Sequence, residues 1–239
     1  MTVANIIIQT LIKFREFEIF RIRKENIKYE RLILHEMHKL LEIKSRLNEG
    51  LEVFDDELDF LLDPAFQPHA DRHFTSIHIA QMAVAFLTAS GQHHILDIGS
   101  GTGKFCLIGG MMSSSLFTGI EYRGDFVQQA KLLASKAELT NVNFIHANLI
   151  DCSFKHYSAF YMFNPFLEQI DATATMNSGA EPSARLYRKY HNHVAHQLDN
   201  CLIGTRLVTY YVNEKQIPTS FLPVKKMYQG TLIFWEKVE

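Results

Sequence analysis

Cysteine is scarce in this 239-residue sequence: only Cys106, Cys152 and Cys201 occur, far apart and without a CxxC pair. A disulfide framework or a zinc site is therefore not expected, and a reducing compartment fits the composition best. The chain also lacks an apolar run long enough to span a membrane. Its opening residues, MTVANIIIQTLIKF, have neither the basic start nor the cleavage site of a signal peptide. We expect a cytoplasmic protein with no membrane partner.

Net charge is also small, since 24 Lys and Arg nearly balance 26 Asp and Glu and leave a formal charge of -2. Such a chain has no global attraction to nucleic acid or to an anionic membrane. No run of Arg and Lys with interleaved aromatic residues marks a groove, so nucleic acid is a less favoured partner. The histidines of HNHVAH (His191, His193 and His196) have no acid to complete a chelate. We expect them to form a solvated helix face and expect no metal site.

Glycine and proline are absent from the first 49 residues, where strong helix formers dominate. Apolar residues recur there with helical spacing, which predicts two or more amphipathic helices. The acidic segment Leu51–Asp63 follows. Pro64 and Pro68 then break the helical pattern, so residues 64–74 are predicted to be loop.

These features predict two parts, a helical N-terminal extension of residues 1–70 and a main domain of residues 71–239. We expect the extension to cap the main domain with its charges solvated. A substrate lid and a homodimer surface are the alternative roles for its helices.

From residue 76 onward, short apolar runs alternate with helical patterns. The predicted strands are HHILDI, LFTGIEY, VNFIHAN, AFYMFNPF and CLIGTRLVTYYV, and the predicted helices span residues 76–89, 104–112, 125–137 and 185–197. Because parallel neighbours need crossover connections, this order predicts an α/β fold with a doubly wound, mostly parallel sheet. The closing stretch FLPVKKMYQGTLIFWEK predicts a C-terminal antiparallel hairpin.

Three glycines, Gly99, Gly101 and Gly103, directly follow the first predicted strand. Glycine weakens regular structure, so three together indicate a backbone that turns sharply or lies against a ligand. In an open parallel sheet, ligands bind beyond the carboxyl ends of the strands, where this loop falls. The second strand ends in Glu121, 22 residues after Gly99, and a carboxylate there can accept hydrogen bonds from a ribose diol.

ILDIGSGTGKF followed by GIEYR resembles the cofactor site of class I S-adenosylmethionine-dependent methyltransferases. The spacing D-x-G-x-G-x-G is the form found in that family, whereas the dinucleotide fingerprint GxGxxG would need glycine where Lys104 stands. The resemblance covers residues 92–168. It implies a Rossmann-like fold, S-adenosyl-L-methionine as the cofactor and methyl transfer as the activity.

The resemblance also implies roles for individual residues around the cofactor. Asp97 would lie near the methionine ammonium, Glu121 would bind the ribose hydroxyls and Tyr122 would pack against the adenine. Asn148, at the end of the third strand, matches the position of a polar residue that reaches the adenine amino group. The complete set implied for the cofactor is Asp97, Gly99, Ser100, Gly101, Gly103, Glu121, Tyr122, Asn148 and Leu149.

The fourth strand ends in Asn164-Pro165-Phe166, which resembles the Asn/Asp-Pro-Pro-aromatic motif of methyltransferases that act on amide or base amino nitrogens. That motif implies that Asn164 accepts the N–H bonds of the target and that Phe166 stacks on its planar group. This chain has one proline where the motif has two. As alternatives, Asn164 is a turn residue and Phe166 a core residue.

Two neighbouring segments are candidates for further contacts. Arg72, His73 and Phe74 precede the first helix of the main domain, in a region that folds over the cofactor in many class I enzymes. The polar stretch Asp171–Ser183 follows the fourth strand, at an edge where long loops often serve as binding elements, and its composition predicts mobility.

The sequence therefore predicts an S-adenosylmethionine-dependent methyltransferase acting on a nitrogen of a protein side chain or a small molecule. An NAD-linked oxidoreductase is the rival within the enzymes. A non-catalytic cofactor-binding or assembly protein on the same fold is the alternative from another class.

Overall fold

A seven-stranded sheet with the strand order β3-β2-β1-β4-β5-β7-β6 organises the chain. The computed structural model describes residues 3–89, 91, 93–171 and 182–239, so most of the predicted loop 171–183 lies outside the described residues. The strands are β1 (His94–Ile98), β2 (Leu116–Glu121), β3 (Val142–His146), β4 (Ala159–Phe163), β5 (Arg206–Tyr210), β6 (Phe221–Met227) and β7 (Leu232–Lys237). The first five strands are parallel, and β7 pairs antiparallel with both β5 and β6. The predicted fold class is confirmed.

Seven α-helices accompany these strands in the described part of the chain. They are α1 (Val3–Asn48), α2 (Asp55–Asp59), α3 (Ala70–His73), α4 (Ile77–Leu87), α5 (Lys104–Met112), α6 (Gly124–Lys136) and α7 (Ala184–Asp199). Short 3-10 helices lie at Gln67–His69, Leu149–Asp151, Leu167–Gln169, Glu214–Gln216 and Tyr228–Gly230. None of the described helices combines the length and apolar character needed to cross a bilayer.

Two predictions about the N-terminal region are wrong. Residues Val3–Asn48 form one helix of 46 residues and not two or more, because nothing in it before Gly50, at φ 70°, interrupts the hydrogen-bond ladder. Residues 64–74 also contain helical turns, Gln67–His69 and α3. Pro68 is compatible with the first of these turns because its missing N–H lies near the helix start, where it would have no partner.

The side chains of β1 alternate between two hydrophobic clusters, one on each face of the sheet. Leu96 and Ile98 face the cluster that includes residues of α7, while Ile95 faces the cluster built with α4, α5 and α6. Asp97 shares the face of Ile95, because side chains two apart in a strand point the same way. The aspartate is therefore directed into the interior between the sheet and α5.

The end of α1 packs on the main body of the protein. Leu40, Ile43 and Leu47 are buried in the same cluster as α4 and α5, and Glu36 forms an ion pair with Lys136 of α6. An extension that caps the main domain agrees with these contacts, while its boundary at residue 70 stays a prediction.

Candidate active site

The chain winds from β1 through β2 to β3 on one side and continues with β4 and β5 on the other, so the strand order reverses between β1 and β4. In doubly wound sheets, this switch point is where a crevice opens for ligands. The glycine loop follows β1 at this position, Glu121 ends β2, and Asn164 directly follows β4. The structure therefore brings these predicted site residues to one edge of the sheet.

Close packing explains two of the three glycines in the loop. A Cβ on Gly99 would lie 2.4 Å from the Cβ of Pro165, and one on Gly103 would lie 2.5 Å from the Phe144 ring. Both residues have positive φ, at 73° and 81°, which disfavours any other residue. Gly99 therefore lets the Asn164-Pro165 turn approach the loop.

Glu121 holds the middle of the loop. Its Oε2 accepts a hydrogen bond from the N–H of Gly101 at 3.0 Å, and its Oε1 accepts one from the N–H of Arg123 at 2.9 Å. Burial raises the pKa of Glu121 above its ordinary range, and these backbone donors oppose that rise. No ion pair to Glu121 is found among the described residues, so a neutral or cationic donor group would be accommodated here.

Asp97 is a buried carboxyl without a cation, being 3% exposed and ion-paired to no described residue. The Cys106 thiol donates a weak hydrogen bond to its Oδ2 at 3.6 Å. Burial raises the pKa of Asp97 to about 8. A buried acid in this state favours a ligand that brings its own positive charge, since pairing restores the ionised form.

The remaining residues predicted for the cofactor have mixed positions. Tyr122 is 68% exposed beside the site, and Leu149 is buried in the cluster next to α7. Asn148 caps a 3-10 helix, because its Oδ1 accepts a hydrogen bond from the N–H of Ile150 at 3.2 Å. The hydroxyl of Ser100 is buried without a hydrogen-bond partner among the described residues. These four roles stay predictions.

The two residues predicted for catalysis are separated by the structure. Asn164 lines the cleft along the glycine loop and has φ 35°, which ends β4 at Phe163, earlier than predicted. Phe166 is 6% exposed and lies in the cluster next to α7, where it stacks on Tyr190 at 4.9 Å between centroids. The packing of Phe166 thus agrees with the alternative that it is a core residue. If an aromatic ring stacks on the methyl acceptor, it belongs to another residue.

The expectation of a solvated histidine face on α7 is wrong for His191, which is 7% exposed and packs edge-on against Phe166 at 5.0 Å. Only its position one turn before Val194, also buried, hints at this in the sequence. His196 is exposed as expected, and His193 contacts the carbonyl oxygen of Cys152 at 3.2 Å.

The sequence predicted that the charges of the N-terminal extension are solvated, and this prediction is wrong for part of the acidic segment. Lys104, the first residue of α5, is 5% exposed, and its Nζ lies 2.7 Å from Asp55 and 2.8 Å from Asp59. Asp55 also accepts a hydrogen bond from the N–H of Ile77 at 2.7 Å. Lys104, which stands where a dinucleotide fingerprint has its third glycine, therefore connects α2 to the end of the glycine loop through these ion pairs.

Residues just before α4 cover the loop. Phe74 is 6% exposed, and its ring lies 3.4 Å from the position of a Cβ on Gly101. Cavities of about 70 and 20 Å³ remain along the glycine loop, and His73 and Phe74 line both. Sites for small molecules typically have roughly 300–1,000 Å³, so both cavities are smaller than a nucleoside-sized ligand needs.

Sequence reasoning missed three aromatic residues of the site. Phe163, Tyr210 and Tyr211 line a neighbouring cavity of about 380 Å³ together with His73 and Asn164. The sequence places all three at the carboxyl ends of two strands, β4 and β5. These two strands are neighbours in the sheet, so their ends lie side by side.

Comparisons with known proteins agree with this architecture. Residues 89–192 match the family model described as a methyltransferase domain. No curated protein matches the chain significantly in sequence.

Solved structures with a similar fold share little sequence with this chain. TrmN from Thermus thermophilus is 17% identical, with a TM-score of 0.53 over 72% of this chain and 52% of its own. An RNA methyltransferase from Salinibacter ruber in complex with S-adenosyl-L-homocysteine is 16% identical, with a TM-score of 0.45 over 72% of this chain and 90% of its own. The N-methyltransferase NodS from Bradyrhizobium japonicum WM9 is 11% identical, with a TM-score of 0.47 over 68% of this chain and 96% of its own. The chain spans about half the length of several matched structures.

The sheet order, the switch-point cleft and the glycine loop define a Rossmann-like methyltransferase fold. The match of residues 89–192 to a methyltransferase domain, together with this fold, supports an S-adenosylmethionine-dependent methyltransferase of class I. Its residues fit that cofactor chemically, because Asp97 is a buried acid with no cation paired to it among the described residues and Glu121 presents a second carboxylate beside the glycine loop.

Proposed function

We propose that this methyltransferase acts on a nitrogen atom of its acceptor, in a small molecule or a protein side chain. The observation that carries this proposal is the position of Asn164 in the wall of the cleft. Its backbone is strained, with φ 35°, and the next residue, Pro165, packs directly against Gly99 of the loop. A side-chain amide offers both an acceptor and a donor, which suits an amino or amide nitrogen.

The residues divide the work of holding the cofactor. Asp97 would pair with the ammonium of its methionine part, and Glu121 would accept hydrogen bonds from its ribose. S-adenosyl-L-methionine supplies an activated methyl group, so the protein's task is to position the nucleophile and exclude water. Asn164 would orient the accepting nitrogen.

His73 is a candidate for removing a proton from the acceptor, because it lines both loop cavities and the neighbouring larger one. Burial lowers the pKa of His73, and the positive charge of Arg72 lowers it further. The imidazole is therefore neutral at neutral pH and able to accept a proton.

Calorimetric titration with S-adenosylmethionine and S-adenosylhomocysteine tests the cofactor site. We expect micromolar binding, about -8 kcal/mol, that is lost in Glu121→Ala and in Gly101→Val. Gly50→Val is a matched control, because Gly50 also has positive φ but no neighbour within 4 Å of an added Cβ. Glu30→Ala, on the exposed side of α1, is the control for the loss of a carboxylate.

Failure of the wild-type protein to bind either compound would contradict the proposal, and NAD would then be titrated. The Asn164→Ala variant distinguishes an enzyme from the alternative, a non-catalytic assembly protein. In an enzyme this variant binds S-adenosylhomocysteine normally and loses turnover, whereas an assembly protein has no turnover to lose. A cytoplasmic location stays a prediction.

A further inference from the structure

The cavity of about 380 Å³ beside the glycine loop is large enough for a small ring system, within the roughly 300–1,000 Å³ typical of small-molecule sites. It shares walls with the cleft along the loop, so a molecule bound in it would lie next to the cofactor. The shared wall residues are His73, Phe74, Phe163, Asn164 and Leu167.

Three aromatic rings form one side of this cavity, which we call the ring pocket. The centroids of Phe163 and Tyr210 are 4.8 Å apart, those of Tyr210 and Tyr211 are 4.6 Å apart, and those of Phe163 and Tyr211 are 6.3 Å apart. Tyr211 is 55% exposed, so it presents ring surface that the protein's own core does not use. Aromatic faces of this kind stack on flat ligands.

The backbone at the pocket is strained at two neighbouring strand ends. Asn164, after β4, has φ 35°, and Tyr211, after β5, has φ 53°. The N–H of Asn164 donates to the carbonyl oxygen of Tyr210 at 3.1 Å, and the N–H of Tyr211 donates to that of Thr231 at 2.8 Å. Non-glycine residues held in this conformation cluster at ligand sites.

The charges around the ring pocket are balanced. Arg72 forms an ion pair with Asp171, with the atoms 2.8 Å apart, and the imidazole of His73 is neutral because burial and the charge of Arg72 lower its pKa. Among the described lining residues there is no carboxylate to attract an amine cation. The Asn164 amide is an uncharged polar group in this lining, and the rings provide the contact area.

We propose that the ring pocket binds the methyl acceptor and that this acceptor is an uncharged planar ring carrying a nitrogen, stacked on the aromatic wall with the nitrogen toward Asn164. This inference rests on the proposed function and names the substrate class for it. It also accounts for Phe166, because Phe163, Tyr210 and Tyr211 supply the stacking that Phe166 does not provide from the core.

The fluorescent heteroaromatic amine 2-aminopurine tests the proposal, since stacking on aromatic rings quenches it. The titration is made with saturating S-adenosylhomocysteine, so that the probe cannot occupy the adenine position of the cofactor site. We expect saturable quenching in the wild type and about tenfold weaker binding in Tyr211→Leu. Tyr29→Leu, which removes an equally accessible ring from α1, is the matched control and leaves the affinity unchanged.

Two results would overturn the proposal while the methyltransferase function stands: bound S-adenosylhomocysteine with no quenching, or equal quenching in Tyr211→Leu. Displacement of the probe by cyclohexylamine or tetramethylammonium at similar concentrations would also overturn it, because the pocket would then select a cation. Failure to bind S-adenosylhomocysteine would instead contradict the proposed function itself.

A second titration distinguishes the two sources of such a ring. With 2-aminopurine placed in a single-stranded oligonucleotide, tighter binding than that of the free base supports a nucleobase within a strand. Equal or weaker binding supports a free heteroaromatic small molecule. Both results support the ring chemistry.

Discussion

Asp97 is deeply buried and has no ion-pair partner in the part of the chain that the structure describes, and this combination has consequences for pH. The neighbouring titratable groups are Cys106, Glu121 and Tyr161, and none of them supplies positive charge. Burial raises the pKa of Asp97 from 3.8 to about 8, so the folded protein holds this proton at neutral pH while the unfolded chain releases it. The contribution to stability is therefore full below pH ~4 and is lost as the pH rises toward 8.

Cofactor binding should reverse the protonation of Asp97, because an ammonium group beside it favours the carboxylate. We expect about one proton to be released per cofactor bound at pH 7. Calorimetry of S-adenosylhomocysteine binding in buffers with different ionisation enthalpies measures this number. Asp97→Asn should bind with no linked proton, and a wild-type protein that releases none would contradict the assignment.

His191 is the opposite case, a base that is buried in its neutral form. Neither ring nitrogen has a hydrogen-bond partner among the described residues. Burial lowers the pKa of His191 from 6.5 to about 4, so the unfolded chain takes up a proton before the folded protein does. Its contribution to stability is present above pH ~6.5 and is lost as the pH falls toward 4.

We therefore expect His191→Phe to be more stable than the wild type at pH 5, by about 2 kcal/mol, and to differ less at pH 7.5. Urea unfolding at the two pH values measures this difference. His196→Phe is the control, since His196 is exposed on the same helix. A stability gain of equal size at both pH values would show that packing, and not protonation, is responsible.

Among the secondary-structure elements, α2 and α5 are joined by the ion pairs of Lys104 with Asp55 and Asp59. Lys104 is buried and Asp59 is 13% exposed, so removing the lysine takes away the ammonium group that neutralises this poorly solvated carboxylate. We expect Lys104→Met to lower the free energy of unfolding by about 3 kcal/mol, measured by chemical denaturation. The double variant Lys104→Met with Asp59→Asn should recover part of this loss.

If the single and double variants are equally stable, the loss comes from packing at the start of α5 and not from the charges. The same pair of variants reports on function. Because Lys104 directly follows Gly103, weaker S-adenosylhomocysteine binding in Lys104→Met would show that α2 helps to position the glycine loop.

Considered as a whole molecule, the protein has a long N-terminal helix with exposed apolar residues seven positions apart. Ile27, Leu34 and Leu41 are 50%, 64% and 38% exposed. A repeat of seven places these side chains on one stripe, the pattern through which helices pair. A homodimer through these helices, one of the alternative roles that the sequence suggests for them, stays a prediction, and this stripe is a candidate interface for it.

Light scattering of the purified protein over a range of concentrations tests the homodimer. We expect a dimeric mass for the wild type and a monomeric mass for Leu34→Glu. Leu202→Glu is the control, because Leu202 is 84% exposed and is not part of α1. A wild-type protein that stays monomeric at all concentrations would remove the homodimer from consideration.

The sequence by itself determined the order of the elements and the place of the glycine loop. Strand and helix periods are local properties, so α5 was predicted with its observed ends, Lys104 and Met112. The position of Glu121 also followed locally, because the end of a strand next to a glycine loop is set by spacing along the chain.

Only the tertiary structure decided which side chains meet. Lys104 pairs with residues 45 and 49 positions away, His191 is buried against Phe166, and Gly99 is required because Pro165 lies against it. These contacts join segments that are distant in sequence, and no periodicity encodes them. The ring pocket is also formed by contacts between distant segments, because Phe163 and Tyr210 become neighbours only when β4 and β5 pair in register.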